Sequence, residues 1–441
     1  ISRKGRDASI AADKTLEMNA AGNVIDRAGK LQAGEDLAIA AGGDIRFDSQ
    51  KQITGFNVGN SNSNQSLQRT EHLASSVNAG GDLSLNAGSD IAIQGAQITA
   101  ASDADLQAQG DIDVLAVADT RHAELHYREK SRGLGSDKQM DATSDSLVHK
   151  GAGVTAGGNL TLASGTNLQV YGSKLQGGDD VRIAAGGDIK LIAAVDQQQE
   201  SVRKTEENSV QRKDEVRGYH RESDVGALVA SGGDLHLGSA GDIQVTGSDL
   251  VASERLQIGE SLVERTGDEY KTASGDNVKN LTVDALALNN EEWVEKSRSF
   301  TGIVKAIAKV AAYTIVGVMG VGADTPAIEL GSREADRVQT LSHQGSALVA
   351  NDISVNVDDD ARFVGANVSA ADTFTVNADT IQVDAVANTT SETHVSEKET
   401  VKGLGAALDR DQVRVGGIEE RKEQSSHTQV TTQWQGSQIS A

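Results

Sequence analysis

The sequence predicts an all-β solenoid, a chain wound into short parallel coils from which polar hairpins project. Three observations predict it. An internal repeat links AGKLQAGEDLAIAAGGDIRF, residues 28–47, to GSKLQGGDDVRIAAGGDIKL, residues 172–191, with twelve of twenty positions identical. Apolar and polar residues alternate in runs of three to five, as in Leu83-Ser84-Leu85, Leu160-Thr161-Leu162 and Leu235-His236-Leu237; such runs fit short strands with one buried face. Each run follows a Gly-Gly-Asp, Gly-Ser-Asp or Gly-Gly-Asn piece, which reads as a tight turn in which Gly supplies positive φ and Asp or Asn closes a local hydrogen bond. Strands this short suit coils of roughly 20 residues, each laid on the one before.

The turn residues singled out are Gly43 and Asp44, Gly81 and Asp82, Gly158 and Asn159, Gly187 and Asp188, and Gly233 and Asp234. A longer period sits above the coil. The marker G-[SA]-x-[LIV] at Gly95, Gly172, Gly247, Gly365 and Gly436 is spaced by 77, 75, 118 and 71 residues. Each super-repeat is therefore two coils plus an excursion, and one carries an insertion.

In chain order, coils occupy residues 14–48, 77–117, 154–195, 228–258 and 347–386, with a looser stretch at 259–290. Between them lie polar, charged excursions, the fourth beginning near Glu291 and the fifth closing the chain. Gly403-Leu404-Gly405 and Gly133-Leu134-Gly135 mark hairpin tips. The whole of 1–441 reads as one continuous repeat region, and both ends look cut from a longer protein. The departure is the insertion at 303–323, IVKAIAKVAAYTIVGVMGVGA, uncharged from Val310 to Ala323. It is short for a spanning helix unless Lys305 and Lys309 snorkel. It reads either as an apolar cap or as a membrane contact through Ile303, Val310, Ile315, Val316, Val318, Met319 and Val321.

Composition narrows the function. Aromatic content of 3%, 47 glycines and a single proline, Pro326, fit a narrow core of stacked aliphatic residues. A formal charge of -23 disfavours nucleic acid as a partner. Without cysteine there is no disulfide, thiolate catalysis or zinc-thiolate site. No catalytic constellation is present, and no cofactor, metal or small-molecule substrate is expected. His122 and His126 stand at i and i+4 but not as H-E-x-x-H. The Gly-Gly-Asp pieces lack the spacing of calcium-binding nonapeptides.

The string A-G-G-[DN]-[LI]-x-[LI]-x-[AS]-G-x-[DN]-[IL]-x-[IV], at residues 79–93 and 156–170, with G-[SA]-x-[LIV] two residues on and charged excursions after each coil pair, resembles the repeats of filamentous-haemagglutinin-like exoproteins. It is most similar to the second repeat region of contact-dependent growth inhibition effectors. The resemblance implies a right-handed parallel β-helix, secreted or at the bacterial cell surface, exported through an outer-membrane two-partner secretion transporter. It further implies contact with a target-cell envelope or outer membrane, and no enzyme activity in this part. A passive adhesin shaft is the competing expectation.

Overall fold

The structure, a computed structural model, describes residues 8–130, 135–259, 278–300, 327–403 and 418–441; within the remaining stretches it describes only 265–266, 269–270, 302, 305, 308–309, 407–409 and 412–414. The described residues are almost entirely strand. The coils form a parallel β-helix. One coil is Ser76–Ala79, Leu83–Ala87 and Ile91–Gln94; the next is Gln97–Ala100, Ala104–Ala108 and Ile112–Leu115. Leu83 pairs in parallel with Ala104, and Ile91 with Ile112. First and second strands stack into a 19-stranded sheet, and third strands into a 10-stranded one.

Alternation sets which residues are inside. In Leu83–Ala87 the first, third and fifth residues are at most 1% exposed, while Ser84 and Asn86 face water. The same columns stack Val, Leu, Ile and Ala into one core, with Phe47 and Phe363 its fully buried aromatic members. Burying each Leu or Ile side chain contributes about 1.5–3 kcal/mol. No Pro interrupts a described strand.

Corners are built differently from the expectation. Among the described residues, positive φ falls at Gly95 (60°), Gly172 (50°), Gly247 (56°), Gly259 (99°), Gly365 (59°) and Ala28 (52°), and not at the Gly-Gly-Asp corners. Four of those residues are the G-[SA]-x-[LIV] markers, and Ala28 holds the equivalent place in the first repeat. At Gly-Gly-Asp corners Gly is required by close approach. A Cβ on Gly42 would meet the Ala21 carbonyl at 2.4 Å, and one on Gly43 would meet Asn23 Oδ1 at 2.0 Å.

The Asp and Asn side chains likewise bond between coils, not locally. The Oδ1 of Asp36 accepts the backbone N–H of Asp82 at 3.0 Å, Asp82 that of Asp103 at 3.2 Å, and Asp103 that of Asn159 at 2.7 Å. Asn159 then accepts from Asp180, Asp180 from Asp234 and Asp234 from Arg255. A second ladder runs through Asp90, Asp111, Asn167, Asp188 and Asp242 at the other corner. Asp44 takes part by donating its N–H to Asn23 Oδ1 at 2.9 Å. A corner amide turned out of the strand ladder would lack a partner, and the side chain below supplies one. The glycines at 81, 158, 187 and 233 leave room for that oxygen, which lies 2.3, 2.3, 2.6 and 2.5 Å from where each Cβ would be.

Candidate functional site

The five excursions are five hairpins: Gln50–Gly59 with Ser63–Leu73, Val117–Lys130 with Asp137–Lys150, Ala194–Glu207 with Gln211–Val225, Leu286–Phe300 with Ile328–Gln344, and Val386–Gly403 with Ile418–Gln435. They do not stand apart. Each pairs with the next in antiparallel register, so that Leu67 faces Ala123, Ser144 faces Glu200, Tyr219 faces Glu292 and Asp336 faces His394. The result is one 10-stranded antiparallel sheet, a fin alongside the rod. The fourth hairpin starts at Leu286, earlier than the expected Glu291; Leu286-Ala287-Leu288 alternates like a coil strand but forms the fin's root, with Leu288 buried.

Spacing explains the two-coil period. Adjacent strands lie about 4.8 Å apart in the hydrogen-bonding direction. Two coils and one two-stranded hairpin therefore advance by the same distance, about 9.6 Å. A hairpin after every second coil is the arrangement in which both sheets grow without slipping past each other.

Fin residues behave unlike core residues. Polar residues predominate on the fin, apart from an apolar strip of Phe56, Val58, Leu67, Ala123 and Leu125 on one face of the first two hairpins, and most positions beyond the root are half-exposed or exposed. A mostly polar sheet specifies register weakly through hydrophobic pattern, and here the register is held by the roots and by side-chain pairs. His72 donates its backbone N–H to Asp119 Oδ1 at 2.8 Å and places ring Nδ1 3.0 Å from the same oxygen. His149 repeats this on Asp196 at 2.6 and 3.0 Å. At the third seam Glu222 donates its N–H to Asn290 Oδ1, and at the fourth His343 Nδ1 meets Asn388 Oδ1 at 2.9 Å. The His149 ring also packs edge-on against Tyr171 of the rod, 5.8 Å between centroids.

Where the chain leaves and rejoins the rod, the residue after the marker glycine is Ser or Ala for a reason the marker did not disclose. Ser173 Oγ accepts the Ala152 N–H and donates to the Tyr171 carbonyl; Ser248 does the same for Ala227 and Thr246. Ser437 serves Ala366 and Asp384. Ser75, Ser173, Ser248 and Ser346 are at most 3% exposed. These hydroxyls satisfy backbone groups that the departing hairpin strips from the coil ladder. The Ser/Ala alternation in the marker was the available signal.

The histidine pair in H-A-E-L-H is occupied within the sheet. His122 Nδ1 lies 2.5 Å from Asp145 Oδ1 and its Nε2 lies 3.1 Å from Glu124; His126 Nδ1 lies 2.5 Å from Asp141. The Asp145 carboxylate, then Glu124, push the His122 imidazole above its usual range. Arg333 spans Glu295 at 2.7 Å and Glu397 at 3.4 Å across three strands, and holds Glu295 below the usual carboxylate range. Among the described residues no group of three or more His, Cys, Asp or Glu has metal-holding geometry, and no helix is long and apolar enough to cross a membrane. The seven candidate membrane-contact residues lie outside the described residues. The described edge of that segment, Lys305 and Lys309, forms ion pairs with Glu399 at 2.6 Å and with Glu420.

A family model described as "Hemagglutinin repeat" matches residues 54–144, 133–213 and 329–441, and a second, "Haemagglutinin repeat", matches 5–50 and 222–290. The chain belongs to the haemagglutinin-repeat family. Among curated proteins it is similar to the "tRNA nuclease CdiA" of Escherichia coli (strain STEC_O31), 25% identical over 179 residues, which are 36% of this chain and 6% of that protein. It is also similar to the "16S rRNA endonuclease CdiA" of Enterobacter cloacae subsp. cloacae (strain ATCC 13047), 24% identical over 171 residues, 34% of this chain and 5% of that protein. No solved structure matches it. In this chain the haemagglutinin repeats build a structural rod and fin, a filamentous adhesin-like segment.

Proposed function

We propose that this segment is the non-enzymatic haemagglutinin-repeat filament of a secreted bacterial effector, and that it helps a toxin cross a target-cell outer membrane in contact-dependent growth inhibition. The observation that carries the reading is the pairing of this rod-and-fin architecture with similarity to two proteins named as nucleases. The repeats supply reach and a large polar surface, while chemistry belongs to another part of such a protein. An outer-membrane two-partner secretion transporter is the export partner in this reading, and the target-cell envelope is the second. Membrane contact is assigned to Ile303, Val310, Ile315, Val316, Val318, Met319 and Val321.

The competing reading is a passive adhesin shaft. It draws support from the polar, charged strands of the third hairpin, Ala194–Glu207 and Gln211–Val225. Liposome flotation with outer-membrane lipid mixtures separates the two. The effector reading expects the chain to float and deletion of residues 303–323 to abolish flotation. If neither form floats, the shaft reading holds.

A further inference from the structure

Eight of the nine histidines lie in fin strands, and one pair of them differs from the rest. His394 and His427 stand directly opposite each other on the antiparallel arms of the fifth hairpin. Asp336, on the neighbouring strand of the fourth hairpin, is aligned with His394 from the other side. One row across three strands therefore reads Asp336, His394, His427, all on one face of the fin. Side chains directly opposite in an antiparallel pair have Cβ atoms about 4.5–5.5 Å apart, within reach of a shared ion for two imidazoles.

The Asp336 contact decides what His394 offers. Asp336 Oδ1 lies 2.6 Å from His394 Nδ1. An ionised carboxylate only accepts, so Nδ1 carries the proton and donates it, leaving the Nε2 lone pair for a ligand. A carboxylate behind a histidine in this way fixes the ring and raises its basicity towards a metal. His427 is exposed, and among the described residues no side-chain contact competes for its ring. By contrast His122 and His126 also have a carboxylate on Nδ1 but face Asp145 and Asp141, not a second imidazole.

We propose that His394 and His427, with Asp336 orienting His394, bind one divalent transition-metal ion of the imidazole-preferring class, zinc, nickel or copper. The ion takes two protein nitrogens and completes its shell with water. It fastens Ile418–Gln435, a strand whose described positions are exposed until its final residue and which pairs with Val386–Gly403. A ligand that binds only the paired arms stabilises them by mass action. The inference is independent of the effector reading above.

Metal-stripped chain titrated with Zn(II) and separately with Ni(II), by calorimetry and by hydrogen exchange at residues 420–435, tests it. The expected result is one ion per chain and slower exchange in that strand. His394→Ala and His427→Ala each abolish both signals, and Asp336→Asn weakens binding by about 10- to 100-fold. His126→Ala leaves both unchanged. Binding that survives His427→Ala, binding lost in His126→Ala, or no binding by the unaltered chain would overturn the assignment. Far-ultraviolet dichroism of each variant verifies that lost binding is not lost structure.

Discussion

The Oδ1 of Asp111 lies 2.8 Å from the backbone nitrogen of Asn167, the residue that occupies the same corner one coil further along the rod, and 3.2 Å from its side-chain nitrogen. Asn167 in turn accepts the N–H of Asp188 at 3.0 Å. The corner residues are thus a vertical ladder that ties coil to coil where the strands themselves are interrupted. Thr166 adds a hydroxyl 2.5 Å from the same Asp111 oxygen, and these donors, Thr166 foremost, hold the Asp111 carboxyl below its usual range.

Removing a rung is expected to cost about 1.5–3 kcal/mol, the worth of hydrogen bonding to a charged carboxylate. Asp111→Ala should therefore speed hydrogen exchange locally at residues 166–168 more than it lowers the melting temperature. Asp111→Asn keeps an acceptor and should lie between Ala and the parent. Gly187→Ala should cost more than Asp111→Ala, because its Cβ would sit 2.6 Å from Asn167 Oδ1.

Ala28 holds a φ of 52° at the place where later repeats use Gly. A non-glycine residue in that region costs roughly 1–2 kcal/mol. Ala28→Gly is expected to stabilise the first coils by about 1 kcal/mol. Gly172→Ala should destabilise, since its φ is 50° and its Cβ would fall 2.7 Å from that of Ala194. Urea titration of both variants measures the two signs together.

Much of this was legible in the sequence because it is local. The strand Leu83–Ala87 announces itself by alternation, and the coil-pair period by the recurring glycines now seen at positive φ. Two features were not. Pairings such as Tyr219 with Glu292 join distant residues on mostly polar strands, so no hydrophobic period marks them. The role of Asp82 was misread because its acceptor function is directed at Asp103 in the next coil, not at its own turn. The tips near Gly133-Leu134-Gly135 and Gly403-Leu404-Gly405 fall largely outside the described residues.

The core should tolerate no charge. Ile183 is fully buried in the stacked column between Leu162 and Leu237. Ile183→Asp places an unpaired carboxylate there, and the loss is expected to exceed about 3 kcal/mol. Val430, 63% exposed on the fin, is the control: Val430→Asp should change the melting temperature little.

Burial also carries a pH signature. Desolvation pushes the Asp105 carboxyl above its ordinary range, and its Oδ1 is buried without a partner although Gln107 donates to Oδ2 at 2.8 Å. A raised folded-state value means that the ionised form opposes folding at neutral pH. The penalty eases as pH falls through that raised value towards the unfolded one. Asp105→Asn should therefore stabilise at pH 7, with a gain that shrinks as pH drops to about 4. Thermal melts of parent and variant across that range give the difference directly.

The most direct test of the central claim, that rod and fin advance in step, is hydrogen exchange of the fin amides after deletions of defined length. Removing residues 152–226 takes out two coils and one hairpin together, joins Gly151 to Ala227 in place of the equivalent Gly226-Ala227 step, and should leave the fin amides of the remaining hairpins protected. Removing residues 153–173 takes out one coil alone. The rod then rises by only about 4.8 Å between hairpins that need twice that, and amides at 137–147 and 197–207 should exchange rapidly. Protection of those amides in the one-coil deletion, equal to that in the parent, would contradict the account.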